Sequence, residues 1–247
     1  MMNTAQVQLK ITDHLNALAV TNRQIVVVTG ATGGIGRAIV EELVGDYAIV
    51  AQGRDEARLI ALSRLGEEIY PVRCDLTDTS AFETTFGLLP RVDALLNVAA
   101  IAPRFAFDDA TAMIWSEVMH LNVTVPSELT KTLLPQLREA TGTVVFLGSG
   151  ASRTTSPNNV VYAASKHALQ ALADGIRIRT EPDRIRVATV APGYVDTPMI
   201  AWDDNYPLLL PETLIKPSTV ARTIRHVIEA PADTQITEVW IRPRTEA

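Results

Sequence analysis

Cysteine, basic clusters and long apolar runs are what this chain of 247 residues has little of. With a single cysteine, Cys74, no intramolecular disulfide can form, which points to a reducing compartment. No block is rich in Lys and Arg, and the formal net charge of −6 argues against a nucleic-acid partner. Apolar runs stay far short of the ~20 residues a membrane helix needs, so no membrane partner is expected. The start of the chain lacks the basic flank and apolar core of a secretory signal. His14, His120, His167 and His226 show no metal-ligand spacing, so no metal is expected. A cytoplasmic enzyme is the default reading.

The 47% of apolar residues suffices for a sizeable core, and 20% charged is ordinary for a soluble protein. Residues 1–23 read as an N-terminal extension. Within it, 8–20 has the spacing of an amphipathic helix that packs on the domain or on a partner subunit. From residue 24 to 247 the chain reads as a single domain in which strands and helices alternate. Strands are expected over 25–28, 47–51, 69–72, 94–98, 143–147, 185–190 and 236–241. Helices are expected over 34–44, 55–65, 80–89, 109–137, 158–179 and 218–229, the fourth kinked or broken at Pro126 or Pro135. Strict alternation predicts an α/β fold: a doubly wound, Rossmann-type parallel sheet of about seven strands with helices on both faces.

Between the first strand and first helix lies Thr29-Gly30-Ala31-Thr32-Gly33-Gly34-Ile35-Gly36. Its glycines permit a tight turn and close approach of a pyrophosphate, which the helix N-terminus meets with N–H donors. The second strand runs out into Gln52-Gly53-Arg54, without the acid that binds the ribose hydroxyls of NAD. Arg54 in its place would take the 2′-phosphate of NADP through a charge-assisted contact of roughly 1.5–3 kcal/mol, about a ten- to hundredfold preference. The bland alternative is a solvated residue at a helix start; Asp55 beside it reads as the helix cap. Asp75, past the third strand, is placed to meet the adenine amino group or simply to close a turn.

The second constellation spans Gly148 to Lys166. Tyr162 and Lys166 stand four apart, on one face of a helix, and Ser149 stands thirteen residues before Tyr162, at the end of the fifth strand. A strand end, a polar loop and a helix could hold a carbonyl between two hydroxyl donors. The run Gly148-Ser149-Gly150 lacks the G-x-S-x-G pattern of a serine hydrolase.

Taken together these motifs resemble the short-chain dehydrogenase/reductase family in its single-domain form, over about residues 24–242. The likeness extends to Asp75-Leu76, Asn97-Val98-Ala99-Ala100, Asn122 within His120-Leu121-Asn122-Val123, and Pro192-Gly193 followed by Thr197-Pro198. It implies an NADP(H)-dependent oxidoreductase acting on a carbonyl or secondary alcohol. Ser149 would donate to the substrate oxygen and Tyr162 would serve as general acid/base. Lys166 would hold the nicotinamide ribose and pull the phenol pKa down from ~10. Asn122 would help hold a proton-relaying water. The implied cofactor site comprises Gly30, Thr32, Gly33, Gly34, Ile35, Gly36, Arg54, Asp75, Leu76, Asn97, Ala99, Tyr162, Lys166, Pro192, Gly193, Val195 and Thr197.

Two departures stand out: Val98 and Ala100 replace a polar residue and a glycine, and flanking glycines are expected to leave Ser149 loosely held. The segment 199–215 reads as an apolar substrate cover or an oligomer contact. Within it Trp202, Tyr206 and Leu208 to Leu210 are apolar, and Asp203 and Asp204 disfavour anionic substrates. The resemblance also implies a homodimer or homotetramer. An NADP-binding sensor without catalysis is the competing reading, against which the full Ser149, Tyr162 and Lys166 set speaks. A sugar epimerase is disfavoured by the short stretch after the sixth strand.

Overall fold

A computed structural model describes residues 9–202 and 213–244. Seven strands form one sheet: β1 (Ile25–Val28), β2 (Ala48–Gly53), β3 (Ile69–Arg73), β4 (Ala94–Asn97), β5 (Thr143–Leu147), β6 (Arg186–Pro192) and β7 (Glu238–Ile241). Their order is β3-β2-β1-β4-β5-β6-β7, and every neighbouring pair is parallel. Burial on both faces explains the unbroken apolar runs. Ile25 and Val27 enter one core cluster, and Val26 and Val28 the other.

On one face lie α2 (Gly34–Leu43), α3 (Glu56–Ser63) and α9 (Pro217–Ile228), which contribute Ile39, Leu62 and Ile224 to the core. On the other lie α4 (Phe82–Thr85), α5 (Ala112–Met119), α6 (Val125–Thr132), α7 (Leu134–Ala140) and α8 (Val160–Thr180). Phe82, Leu129, Leu137 and Leu169 fill that layer. The helices tilt the decision to this fold because crossovers between parallel strands need them.

Two expectations need correction, and a third is met: the stretch over 109–137, expected to kink or break at a proline, is broken into three helices, with α5 and α6 joined by a π-helical stretch, His120–Thr124. Pro126 has no N–H for the carbonyl four residues back, and the ladder widens there. The helix expected over 80–89 is a 3-10 turn, Thr79–Ala81, followed by the single turn α4. The one helix expected over 8–20 is a 3-10 turn, Ile11–Asp13, and a short helix α1, Leu15–Val20. That segment joins the core: Ile11 and Leu18 are buried with Tyr70 and Val72.

Of the segment 199–215, expected to cover the substrate, residues 203–212 lie outside the described part. Its flanks are pinned, because Asp196 N donates to Ile215 O (2.9 Å) and Ile215 N to Tyr194 O (2.8 Å).

Candidate active site

One cleft of about 1090 Å³ opens along the C-terminal ends of the strands, where order in the sheet reverses between β1 and β4. Its floor is the glycine turn. Gly30 has φ of 64°, the left-handed region that favours glycine, and a Cβ on Gly36 would lie 2.1 Å from Gly30 O. Larger residues would therefore destroy the turn. Gln52, buried at the end of β2, accepts from Gly30 N (2.9 Å) and donates to Cys74 O (2.7 Å), tying the turn to β3.

Thr29 makes the matching tie on the other side. Its hydroxyl donates to Leu96 O (3.2 Å) and accepts from Val98 N (2.9 Å) and Ala99 N (3.2 Å). Val98 and Ala100 therefore sit on a backbone already held in place. Past the floor, the N-terminal residues of α2, Gly34 to Gly36, face the cleft. This cradle fits a pyrophosphate: backbone donors at a helix start, with glycines at 30, 33, 34 and 36.

At the β2–β3 end, Arg54, Asp75 and Leu76 line the cleft as expected from sequence. Asp55 caps α3 by accepting from Arg58 N (3.0 Å). Asp75 closes its own turn through Thr77 N (3.0 Å) and Thr77 Oγ1 (2.8 Å), bonds that hold its carboxyl below the usual range. Arg37 and Arg58 line the same end and were not singled out from sequence. Arg37 pairs with Glu41 (2.8 Å) and Arg58 with Asp55 (3.3 Å) on their own helices. His120, also missed, braces this end: its Nε2 lies 2.9 Å from Thr77 O.

At the β5 end, Ser149, Tyr162 and Lys166 share one wall. Ser149 is not loosely held. It caps a 3-10 turn, Gly150–Ser152, by accepting from Ala151 N (3.1 Å), while Ser152 Oγ accepts from Ser149 N (3.3 Å). Lys166 is 3% exposed; its Nζ donates to Leu147 O (2.7 Å) and lies 5.7 Å from the Tyr162 ring centre. Burial pulls the Lys166 pKa down to about 8.

Burial works against the lowered pKa expected of Tyr162. Desolvation pushes its pKa up, against the opposing pull of a hydrogen bond with Ser149 and the charge of Arg104. Its ring is half-buried, but the hydroxyl lies deep enough for burial to dominate.

Of the other expected cofactor residues, Gly33, Thr32, Ile35, Ala99, Pro192, Gly193, Val195 and Thr197 all line the cleft. Asn97 does not. Its amide is buried and turned toward Thr130 Oγ1 (3.4 Å). Asn122 also stands behind the wall: it accepts from Ile101 N (2.9 Å) and donates to Ile101 O (2.9 Å) and Ser165 Oγ (3.0 Å). It fixes the strand-end loop that forms the wall. His167 is exposed, with Nδ1 2.8 Å from Ala163 O. Among the described residues no group of three His, Cys, Asp or Glu could hold a metal ion.

The family model for short chain dehydrogenase matches residues 24–205. The chain belongs to the short-chain dehydrogenase family. A dehydrogenase/reductase SDR family member 7B of Xenopus laevis is 35% identical over 205 residues, 76% of this chain. The chain spans about 63% of that relative's length. Among solved structures, a short-chain dehydrogenase/reductase from Corynebacterium glutamicum is 37% identical, with a TM-score of 0.70, over 90% of this chain and 100% of that one. The closed form of serine dehydrogenase complexed with NADP+ is 26% identical, with a TM-score of 0.82, over 91% and 96% of the two chains. As a short-chain dehydrogenase, the chain is built for a nicotinamide cofactor, and the glycine cradle fits one. Among the described residues no helix is long and apolar enough to cross a membrane.

Proposed function

We propose that this short-chain dehydrogenase is an NADP(H)-dependent oxidoreductase of carbonyl compounds or secondary alcohols, with Tyr162 as general acid/base. The observation that carries the reading is the shared wall of Ser149, Tyr162 and Lys166 beside a cleft long enough for a dinucleotide. Gly30, Gly34, Ile35 and Gly36 would hold the pyrophosphate of a nicotinamide cofactor, which would supply the hydride for reduction of the carbonyl carbon or take it up in the reverse direction.

The residues do the rest. Ser149 and the phenol of Tyr162 donate to the carbonyl oxygen, and Tyr162 passes it a proton as the alcohol forms. Lys166, a cation 5.7 Å from that ring, favours the phenolate left behind. The backbone of Val195 and the hydroxyl of Thr197 line the part of the cleft where a carboxamide would be anchored. Asn122 acts as a positioning residue through Ile101.

NADP is favoured over NAD because Arg54, Arg37 and Arg58 stand together at the β2–β3 end, and β2 ends without a ribose-binding acid. A homodimer or homotetramer belongs to the same reading, with α5 and α8 pairing across a two-fold and β7 giving a second contact. Met113 on α5 and Ile178 on α8 are 75% and 65% exposed, an apolar surface suited to a partner. A cytoplasmic location belongs to the same reading, supported by the lone, buried Cys74.

Tyr162→Phe tests the reading. Turnover of a carbonyl panel with NADPH should fall by several orders of magnitude while NADPH still raises the melting temperature. Retained turnover removes Tyr162 from the chemistry. A wild-type protein that binds NADPH tightly and turns over nothing is a sensor instead.

A further inference from the structure

Ser149 rides on a single 3-10 turn, Gly150–Ser152, and a turn of that kind holds its own shape poorly because its hydrogen-bond geometry is poor. We propose that Arg153, Glu238 and Trp240 form a brace on the outermost strand that positions this turn and so aims the Ser149 hydroxyl at the reacting oxygen. The proposal deepens the functional reading of the wall and rests on it.

The brace begins where the turn ends. Ala151 N donates to Ser149 Oγ (3.1 Å), so the backbone of the turn sets the direction of the hydroxyl, which bonds in its turn with Tyr162. Ser152 N donates to Ser149 O (2.9 Å) and Arg153 N to Gly150 O (3.2 Å). Arg153 is therefore the residue that closes the turn, and its side chain leaves for β7. There Nη2 donates to Glu238 Oε2 (2.5 Å), and the guanidinium carbon stands 4.8 Å from the centre of the Trp240 ring. The other carboxylate oxygen, Oε1, accepts from Trp240 Nε1 (2.6 Å). One carboxylate thus binds both partners, and the cation covers the indole that this carboxylate orients.

Alternation along the strand makes the cluster possible, because residues two apart share a face. Val239 and Ile241 pack against the core cluster of α2 and α9. Glu238 and Trp240 are left on the opposite face, on the side of α8, against which the turn packs. The strand itself is fixed: Glu238 stands opposite Thr189 and Trp240 opposite Ala191 on β6, and Gly193 N donates to Ile241 O (2.7 Å). One residue on, Arg242 comes so near the turn that a Cβ on Gly150 would lie 2.7 Å from its Nη1.

An isolated ion pair in water holds little, and the Arg153 side chain is 57% exposed. Here Glu238 is 22% exposed and three groups fix one another. Arg153, Glu238 and Trp240 are all absent from the lining of the cleft, so each acts through the turn as a positioning residue. Their effect belongs to aim, since a shift of about 1 Å at reacting atoms costs up to about a hundredfold in rate.

The test is a double-mutant cycle read in turnover. Arg153→Met, which keeps the stem and removes the cation, and Glu238→Gln are each made in wild type and in Ser149→Ala. Rates are measured with NADPH on the compound that wild type reduces fastest in a panel of ketones and aldehydes. Single-turnover runs with protein in excess keep the slow background readable. In wild type each change should lower kcat by about tenfold and leave the KM for NADPH unchanged. In Ser149→Ala neither should lower the rate by more than about twofold further, because the aim of a missing hydroxyl no longer matters. The melting-temperature shift given by NADPH should persist in every variant.

Equal losses in both backgrounds would overturn the proposal, since they would make the brace a support of the fold at large. So would a kcat in both brace variants that stays at the wild-type value, or loss of the NADPH shift from them. A slow Ser149→Ala protein beside unaffected brace variants sinks the brace and leaves the reading of the wall standing. Ser149→Ala as fast as wild type removes that reading, as does a wild type that reduces nothing in the panel, and the brace goes with it.

Discussion

Lys166 carries its charge into a place with almost no water, and the pH dependence of stability should show it. Its folded pKa is about 8, below the ~10.4 of an exposed lysine. Between those values the unfolded chain binds more protons, so the contribution of Lys166 to stability rises with pH across that window. Below pH 8 the full cost of the buried ammonium is present. In Lys166→Met that cost is gone, so the variant should gain on wild type at pH 7 relative to pH 10.5 by about 3 kcal/mol. Urea unfolding at the two pH values reads the difference, and a pH-independent gap would refute it. The orphaned Leu147 carbonyl adds a constant cost that cancels. Above pH 10 the phenols of Tyr47 and Tyr70, held near 12 chiefly by burial, lose stability as pH rises. They do so in both proteins.

Residues of this kind differ in how legible they were. Ser149, Tyr162 and Lys166 could be read from spacing because a strand end and one helix face place all three. Gln52, Thr29 and Arg242 could not, since their roles are contacts between segments far apart in the chain.

The π-helical stretch His120–Thr124 is the element whose form matters most to the wall. It carries His120 toward the Asp75–Thr77 turn and Asn122 toward Ile101, so one widened turn supports both ends of the cleft. Replacing Asn122 with Ala leaves the part-buried N–H and C=O of Ile101 without this partner. The expected loss is about 1–3 kcal/mol, read as a lower urea midpoint, with weaker NADPH binding as the wall loosens. Gly36→Ala makes a sharper case in α2. Its methyl group has 2.1 Å to Gly30 O, and NADPH affinity should be lost even where the protein still folds. The helix break itself was visible as Pro126, but a proline signals a fault in the ladder, not the form the repair takes.

Across the whole molecule, the proposed function divides one cleft in two: arginines at the β2–β3 end would sort cofactors, and the β5 wall would handle the substrate. NADPH should therefore raise the melting temperature more than NADH at equal concentration, because stabilisation follows saturation. Arg54→Glu should reverse the order, and a larger NADH shift in wild type would remove Arg54 from its role. The sheet was legible almost throughout because its buried strands are continuous β-branched runs. At the edge the reading blurred. β7, expected over 236–241, is Glu238–Ile241, half-buried along its length, where apolar character no longer marks the boundary.

The stretch before β1 bears on where this protein ends as a folding unit. Leu9 O accepts from Arg73 N (2.9 Å), His14 Nε2 lies 3.2 Å from Pro71 O, and its ring meets Tyr70 edge-on at 5.4 Å. These fifteen or so residues act as a clasp on the outer edge strand, two positions from the aspartate that borders the adenine pocket. A version trimmed to begin at residue 24 would keep every group assigned to chemistry and still lose its grip on the dinucleotide, because the latch had been mistaken for trimmings.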